Sequence, residues 1–336
     1  MTKIFILYTG GTIGMVHDAH NNALMPFNFG AILDQVPELR RFGFEIDAHS
    51  FSPLLDSSNI TPAVWVEMAR IIEKKYDQYD GFVILHGTDT MAYTASALSF
   101  MFENLNKPVI MTGSQLPIGE IRTDAKENLI TAIELAASRE PVVNEVCILF
   151  DFQLYRGNRA TKYNSIKFEA FRSVNYPVLA EAGVEIRYHE HAILPKTHKP
   201  FRVNTKLNEQ VGLLKLYPGI PQTMIDSVLN TPGLKAMVLE TFGAGNASTD
   251  PAFIESLRSA IEKGMLILDV TQCVGGSVEL GRYQTSVQLQ SIGVISGEDI
   301  TTEAALAKLM HLLGQELSAD EVKQQLGVSL RGEISV

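Results

Sequence analysis

The chain has 336 residues, 46% of them hydrophobic and 20% charged, with 28 lysines and arginines against 38 aspartates and glutamates, a formal net charge of -10. Such a length buries a substantial core and has room for two domains, and the composition excludes a chain that is mainly disordered. The negative balance repels phosphate backbones, so no nucleic-acid partner is expected.

The first element is the run Lys3–Thr9, read as a strand because it is apolar on both faces, as central strands of a parallel sheet must be. Its apolar part is too short for the core of a secretory signal, and no later segment approaches the roughly 20 apolar residues of a membrane span. A soluble, cytoplasmic chain with no membrane association is expected. Thr61-Pro62 opens a helical pattern over Ala63–Tyr76, with proline where a first helical turn tolerates it. A strand at Phe82–His86 leads into helical spacing over Asp89–Phe102, and strands follow at Pro108–Thr112 and Val146–Phe150. The two cysteines, Cys147 and Cys273, form no Cys-x-x-Cys pair and are too few for a disulfide framework or a zinc cluster, which fits a reducing compartment.

Over residues 189–208 both periodicities lapse among histidines, prolines and lysines, and the stretch reads as a linker between an N-terminal domain, 1–188, and a C-terminal domain, 209–336. His189, His191 and His198 would tempt a metal reading on spacing, but a linker surface accounts for them. Strands then resume at Val211–Leu216, Ala236–Glu240 and Met265–Val270, with a helix over Pro251–Lys263 and an amphipathic helical tail over Thr301–Gly327. The alternation predicts an α/β fold of two doubly wound, flavodoxin-like or Rossmann-like three-layer domains with mainly parallel sheets, the N-terminal one larger.

In open parallel sheets, ligands bind beyond the carboxyl ends of the strands. Here two of those ends carry Thr9-Gly-Gly-Thr-Ile-Gly14 and His86-Gly-Thr-Asp-Thr90, and further turns offer Asp56-Ser57-Ser58 and Gly113-Ser114. The glycines form neither G-x-G-x-x-G nor a P-loop, so a nucleotide cradle is not supported. Threonine becomes a nucleophile only when a base takes its proton, and that base needs an orienting group. Alone, Lys162 reads as a solvated surface lysine. With Thr88 and Asp89 it supplies the parts of a triad: proton carrier or nucleophile, base and carboxylate.

Taken together, Thr9–Gly14, Gly81–Ala92, Asp56-Ser-Ser58, Thr112-Gly-Ser114, Tyr155-Arg-Gly-Asn158 and Thr271-Gln-Cys273, in this order, resemble the bacterial type I, cytoplasmic L-asparaginases over essentially the whole chain. The resemblance implies hydrolysis of L-asparagine to L-aspartate and ammonia through a threonine acyl-enzyme, with no metal or organic cofactor. Thr12 falls on the attacking residue, and Thr88, Asp89 and Lys162 on the second threonine, the aspartate and the lysine. Substrate contacts fall on Gly11, Asp56, Ser57, Ser58, Thr88, Asp89, Ser114 and Asn246, the last reaching a neighbouring subunit's site in the family. A homodimer or homotetramer is implied. The related tRNA-linked amidotransferases carry an extra N-terminal domain, for which a first motif at Thr9 leaves no room.

Two positions depart from the family. Leu24, in Asn21–Pro26, stands where many members carry an activating tyrosine, and Tyr283 is the best substitute, although a half-buried core tyrosine is the other reading. Glu240 replaces an arginine that would clamp a regulatory asparagine in some members, so an allosteric site of that kind is not expected, even though Cys273 remains. The alternatives to an asparaginase are a broader enzyme that also takes L-glutamine and a non-catalytic amino-acid-binding relative.

Overall fold

The computed structural model describes residues 1–17, 24–26, 30 and 35–335. Asn21, Asn22 and Ala23 lie outside the described residues. The chain divides into two units, Met1–Ser173 with Pro177–Thr205, and Val174–Tyr176 with Lys206–Val336.

The first unit contains an eight-stranded sheet of β1 (Lys3–Gly10), β2 (Glu45–Leu55), β3 (Gly81–Leu85), β4 (Val109–Thr112), β5 (Val146–Phe150), β6 (Gln153–Arg156), β7 (Ala180–Ala182) and β8 (Ile186–Tyr188), in the spatial order β8-β7-β6-β5-β4-β3-β1-β2. The five strands β1 to β5 run parallel and β6 to β8 extend the edge antiparallel. Their order reverses at β1, whose neighbours are β2 on one side and β3 on the other. Side chains such as Ile4, Ile6, Val83, Ile84, Ile110 and Ile148 are fully buried, as strands covered on both faces require. Helix α1 (Pro62–Lys75) has Pro62 in its first turn and buries Trp65, Met68, Ala69 and Ile72 at helical spacing. It packs on α2 (Met91–Met101), which is buried all round, while α3 (Ala125–Ala137) packs on β1, β3, β4 and β5.

Within the stretch 189–208, residues through Thr205 lie with the first unit. The backbone there is irregular but pinned by side chains. Phe201 stacks on Tyr76 with centroids 3.8 Å apart, and Asn106 exchanges hydrogen bonds with the backbone of Thr197. Loss of periodicity there marks side-chain anchoring to the domain surface.

The second unit holds a parallel sheet of β9 (Val211–Lys215), β10 (Ala236–Thr241), β11 (Leu266–Thr271) and β12 (Ile295–Ser296), ordered as in the chain. Met237, Leu239 and Ile267 share a core with α4 (Gln222–Leu229) and α5 (Pro251–Glu262), whereas the alternate residues Val238 and Leu268 are buried on the other face. Helix α6 (Gln284–Ser291) follows β11, and α7 (Thr302–Gly314) packs on β9, β10 and β11. The tail is helical, as expected, and forms two helices. It restarts at α8 (Ala319–Leu326) behind a capping box in which Ser318 N donates to Glu321 Oε2 at 2.8 Å and Glu321 N to Ser318 Oγ at 3.3 Å.

Candidate active site

The reversal of strand order in the first unit opens a crevice at the carboxyl ends of β1 and β3, where a doubly wound sheet binds its ligand. The turn after β1 places Gly11 and Thr12 there, Thr12 opening a single 3-10 turn over Thr12–Gly14. The turn after β3 brings His86, Gly87, Thr88 and Asp89. The two turns touch: Gly11 has φ +89°, and a Cβ on it would lie 2.5 Å from Gly87 N. Gly87 is equally constrained, since its Cβ would meet Ser57 Oγ at 2.6 Å.

Asp56, Ser57 and Ser58 follow β2. Asp56 Oδ1 accepts from Ser58 N at 2.8 Å and from Ser58 Oγ at 2.6 Å, and the Ser58 hydroxyl holds the carboxyl below its ordinary range. Ser57 is buried beneath Gly87, and its carbonyl accepts from Thr90 Oγ at 2.7 Å. Ser114 is buried, with its hydroxyl donating to Leu116 O at 2.6 Å.

Lys162 arrives from another part of the chain. A two-residue ribbon pairs Thr161 with Arg172 and Lys162 with Phe171, and this aims the lysine at the turn after β3. Its Nζ lies 2.8 Å from Thr88 Oγ and 2.5 Å from Asp89 Oδ1. The lysine side chain is 16% exposed and the aspartate 68%, so the ion pair has one buried and one solvated end. The structure therefore gathers Thr88, Asp89 and Lys162 within hydrogen-bond reach, with Thr12 on the adjoining turn.

Four neighbours, Trp65, Thr94, His86 and Gln115, were not singled out as working residues in the sequence. Trp65 Nε1 donates to Thr94 Oγ at 2.9 Å, and the Thr94 hydroxyl can then donate to His86 Nε2 at 3.0 Å. This leaves Nδ1 of His86 protonated to donate to Gly87 O at 2.6 Å. Burial pushes this imidazole down to about 4, so it is neutral near pH 7. Gln115 is the fourth: its Oε1 lies 3.4 Å from Thr88 Oγ and its N–H donates to the half-buried Asp124. Spacing could not find it, because it sits in an irregular loop after β4.

Other expected residues fall elsewhere. Leu24 pairs its backbone with His17 in the ribbon of Met15–His17 with Leu24–Pro26. Asn246 and Tyr283 belong to the second unit. There Asn246 N donates to Phe242 O at 2.8 Å and Asn246 Oδ1 accepts from Thr285 Oγ at 2.5 Å, and Tyr283 stands at the N-terminal cap position of α6 and is 46% exposed. Glu240 is engaged within its own unit, 3.2 Å from Lys215 Nζ and accepting from Thr302 Oγ at 2.7 Å. No helix among the described residues is long and apolar enough to cross a membrane.

Comparison with known proteins gives a consistent result. A family model described as asparaginase, N-terminal, matches residues 3–194, and one described as glutaminase/asparaginase C-terminal domain matches residues 210–326. L-asparaginase 1 of Escherichia coli is 43% identical over 334 residues, covering 99% of this chain and 98% of that protein. The crystal structure of L-asparaginase I from Vibrio cholerae matches with a TM-score of 0.90 at 44% identity, over 100% of this chain and 99% of that one. A probable cytoplasmic L-asparaginase from Campylobacter jejuni matches with a TM-score of 0.82 at 26% identity, over 97% of this chain and 99% of that one.

Proposed function

The chain belongs to the asparaginase family, and on that premise we propose that Thr12 is the nucleophile with which it hydrolyses L-asparagine to L-aspartate and ammonia. Thr12 Oγ attacks the side-chain carboxamide carbon as its proton is removed, the carbonyl oxygen gathers negative charge, and the C–N bond breaks with the proton passing to the departing ammonia. Water then attacks the aspartyl ester, its proton moving by way of Thr88 to Lys162; as the ester C–O bond breaks a proton returns to Thr12 Oγ, and L-aspartate leaves with Thr12 restored.

The observation that carries this proposal is the bridging position of Lys162 Nζ, 2.8 Å from Thr88 Oγ and 2.5 Å from Asp89 Oδ1. A base held between a hydroxyl and a carboxylate matches the logic of a catalytic triad. The developing oxyanion needs donors, and the Thr88 N–H suits that task. Gly87 O is drawn onto His86 Nδ1, and in a trans peptide the following N–H points the opposite way. Asp56, Ser57, Ser58 and Asp89 would receive the α-carboxylate and α-ammonium of the substrate, with Gly11 and Ser114 at its side-chain end. Asn246 and Tyr283 would complete the site from another subunit of a homodimer or homotetramer, Tyr283 supplying the hydroxyl that activates Thr12.

No metal or organic cofactor enters these steps. The cytoplasm is the proposed location, in keeping with the Campylobacter jejuni relative and with two free cysteines. Glu240, tied to Lys215 and Thr302, offers no cation to a regulatory asparagine, so a hyperbolic rate curve is expected. The test is ammonia release from L-asparagine and L-glutamine over a wide concentration range. Asparagine turnover well above glutamine turnover, without sigmoidicity, supports the proposal. Comparable rates on both would make the enzyme a broader amidase, and binding without turnover would make it an amino-acid-binding relative.

A further inference from the structure

We infer that Gln115 is a positioning residue for Thr88, accepting its hydroxyl proton while Lys162 is an ammonium and thereby setting how readily the lysine turns from donor to acceptor. This rests on Lys162 acting as the base.

Among the described residues the Thr88 hydroxyl has two side-chain partners, Lys162 Nζ at 2.8 Å and Gln115 Oε1 at 3.4 Å. An ammonium only donates, so a charged Lys162 gives a proton to Thr88 Oγ and the single hydroxyl proton turns to Gln115. A neutral amine instead offers its lone pair, and the hydroxyl proton swings to Nζ, the arrangement that proton transfer requires. The two arrangements compete for one proton. At 3.4 Å the contact to Gln115 is long for a hydroxyl donor, so it biases the choice and does not lock it.

Gln115 is built into this position. Its backbone N–H donates to Asp124 Oδ2 at 2.9 Å, and Leu116 N donates to Asp124 Oδ1 at 3.1 Å. Its Nε2 donates to Lys167 O at 3.0 Å. Only the amide nitrogen can serve a carbonyl, so the carboxamide oxygen is the end left for Thr88. The charged residues in contact with the pair or its supports are Asp89 on the Thr88 turn, Asp124 beneath Gln115, Lys167 whose carbonyl holds the Gln115 amide, and Glu169 with Arg172 beside the ribbon that carries Lys162, these last two paired at 2.9 Å.

The experiment measures kcat against pH for the wild type, Gln115→Leu, the near-isosteric Gln115→Glu, and Lys162→Met as a control. Removing the acceptor disfavours the ammonium arrangement, so Gln115→Leu moves the ascending limb to lower pH by about 0.4 to 1 unit, the worth of one neutral hydrogen bond. Gln115→Glu strengthens the acceptor and adds negative charge, so it moves the limb to higher pH. A residue that only supported the loop would lower activity in both variants without opposite shifts. Absent or same-direction shifts, with Lys162→Met inactive, overturn the role of Gln115 alone. Near-normal turnover by Lys162→Met overturns the lysine as base, and the inference with it.

Discussion

Gly11 and Gly87 touch: a Cβ on the first would lie 2.5 Å from the backbone nitrogen of the second. That contact lets the turn after β1 and the turn after β3 bring Thr12 and Thr88 to one crevice, at the point where the strand order reverses. The sheet supplies the place and the two glycines allow the approach.

Gly11→Ala meets backbone on one side and must hold φ +89° with ψ 172°, a region essentially confined to glycine that an L side chain enters at a cost of about 1 to 3 kcal/mol. The turn is expected to open. Because a displacement of the order of 1 Å can cost about 10²-fold in rate, kcat/KM should fall far more than stability does. Steady-state kinetics beside thermal unfolding checks this, and a variant that loses stability but keeps its rate would remove the close approach from the mechanism.

Lys162→Arg keeps the positive charge opposite Asp89 but presents a guanidinium that does not lose its proton. Turnover is expected to fall by at least about 10²-fold, as for loss of a general base. Retained activity would mean that Lys162 serves as a charge and does not carry a proton.

Tyr283→Phe removes one hydroxyl from a residue that is 46% exposed, so folding should be unaffected. The proposed activation of Thr12 makes kcat fall more than KM rises. An unchanged kcat would take Tyr283 out of the reaction.

Much of the fold was legible in the sequence, because the central strands are apolar runs and α1 carries its proline and its helical stripe in view. Strand β2 was not, since its residues are mostly exposed on a sheet edge and the run contains Pro53, which hides it from any search for buried runs. Yet β2 is the strand that places Asp56-Ser57-Ser58 and creates the reversal at β1. At the candidate site, motif order pointed to Thr12, Thr88, Asp89 and Lys162, and the last three do lie within hydrogen-bond reach of one another. The contacts of Gln115, Thr94 and Trp65 were not, because each acts through a side chain brought from a distant loop or helix.

Asp269 is fully buried in β11, with Thr241 Oγ donating to its Oδ1 at 2.7 Å, and burial raises its carboxyl to about 7. Between its unfolded value of 3.8 and about 7 the folded chain keeps a proton that the unfolded chain gives up, so this group favours folding at low pH and the benefit is lost as pH rises through that window. Asp269→Asn should therefore gain on the wild type as pH rises from 4 to 7, by up to about 4 kcal/mol, and hold level above. Denaturant midpoints across pH check this; a constant difference between the two proteins would contradict it.

The most direct test is to mix enzyme and L-asparagine, quench rapidly in acid, and examine the protein by mass spectrometry with peptide mapping, using wild type and Thr12→Ala. The expected result is an aspartyl ester on the peptide containing Thr12 in the wild type, formed along with ammonia release, and neither adduct nor ammonia from Thr12→Ala although it still binds asparagine. Normal ammonia release by Thr12→Ala, or an ester on another residue, would contradict Thr12 as the nucleophile.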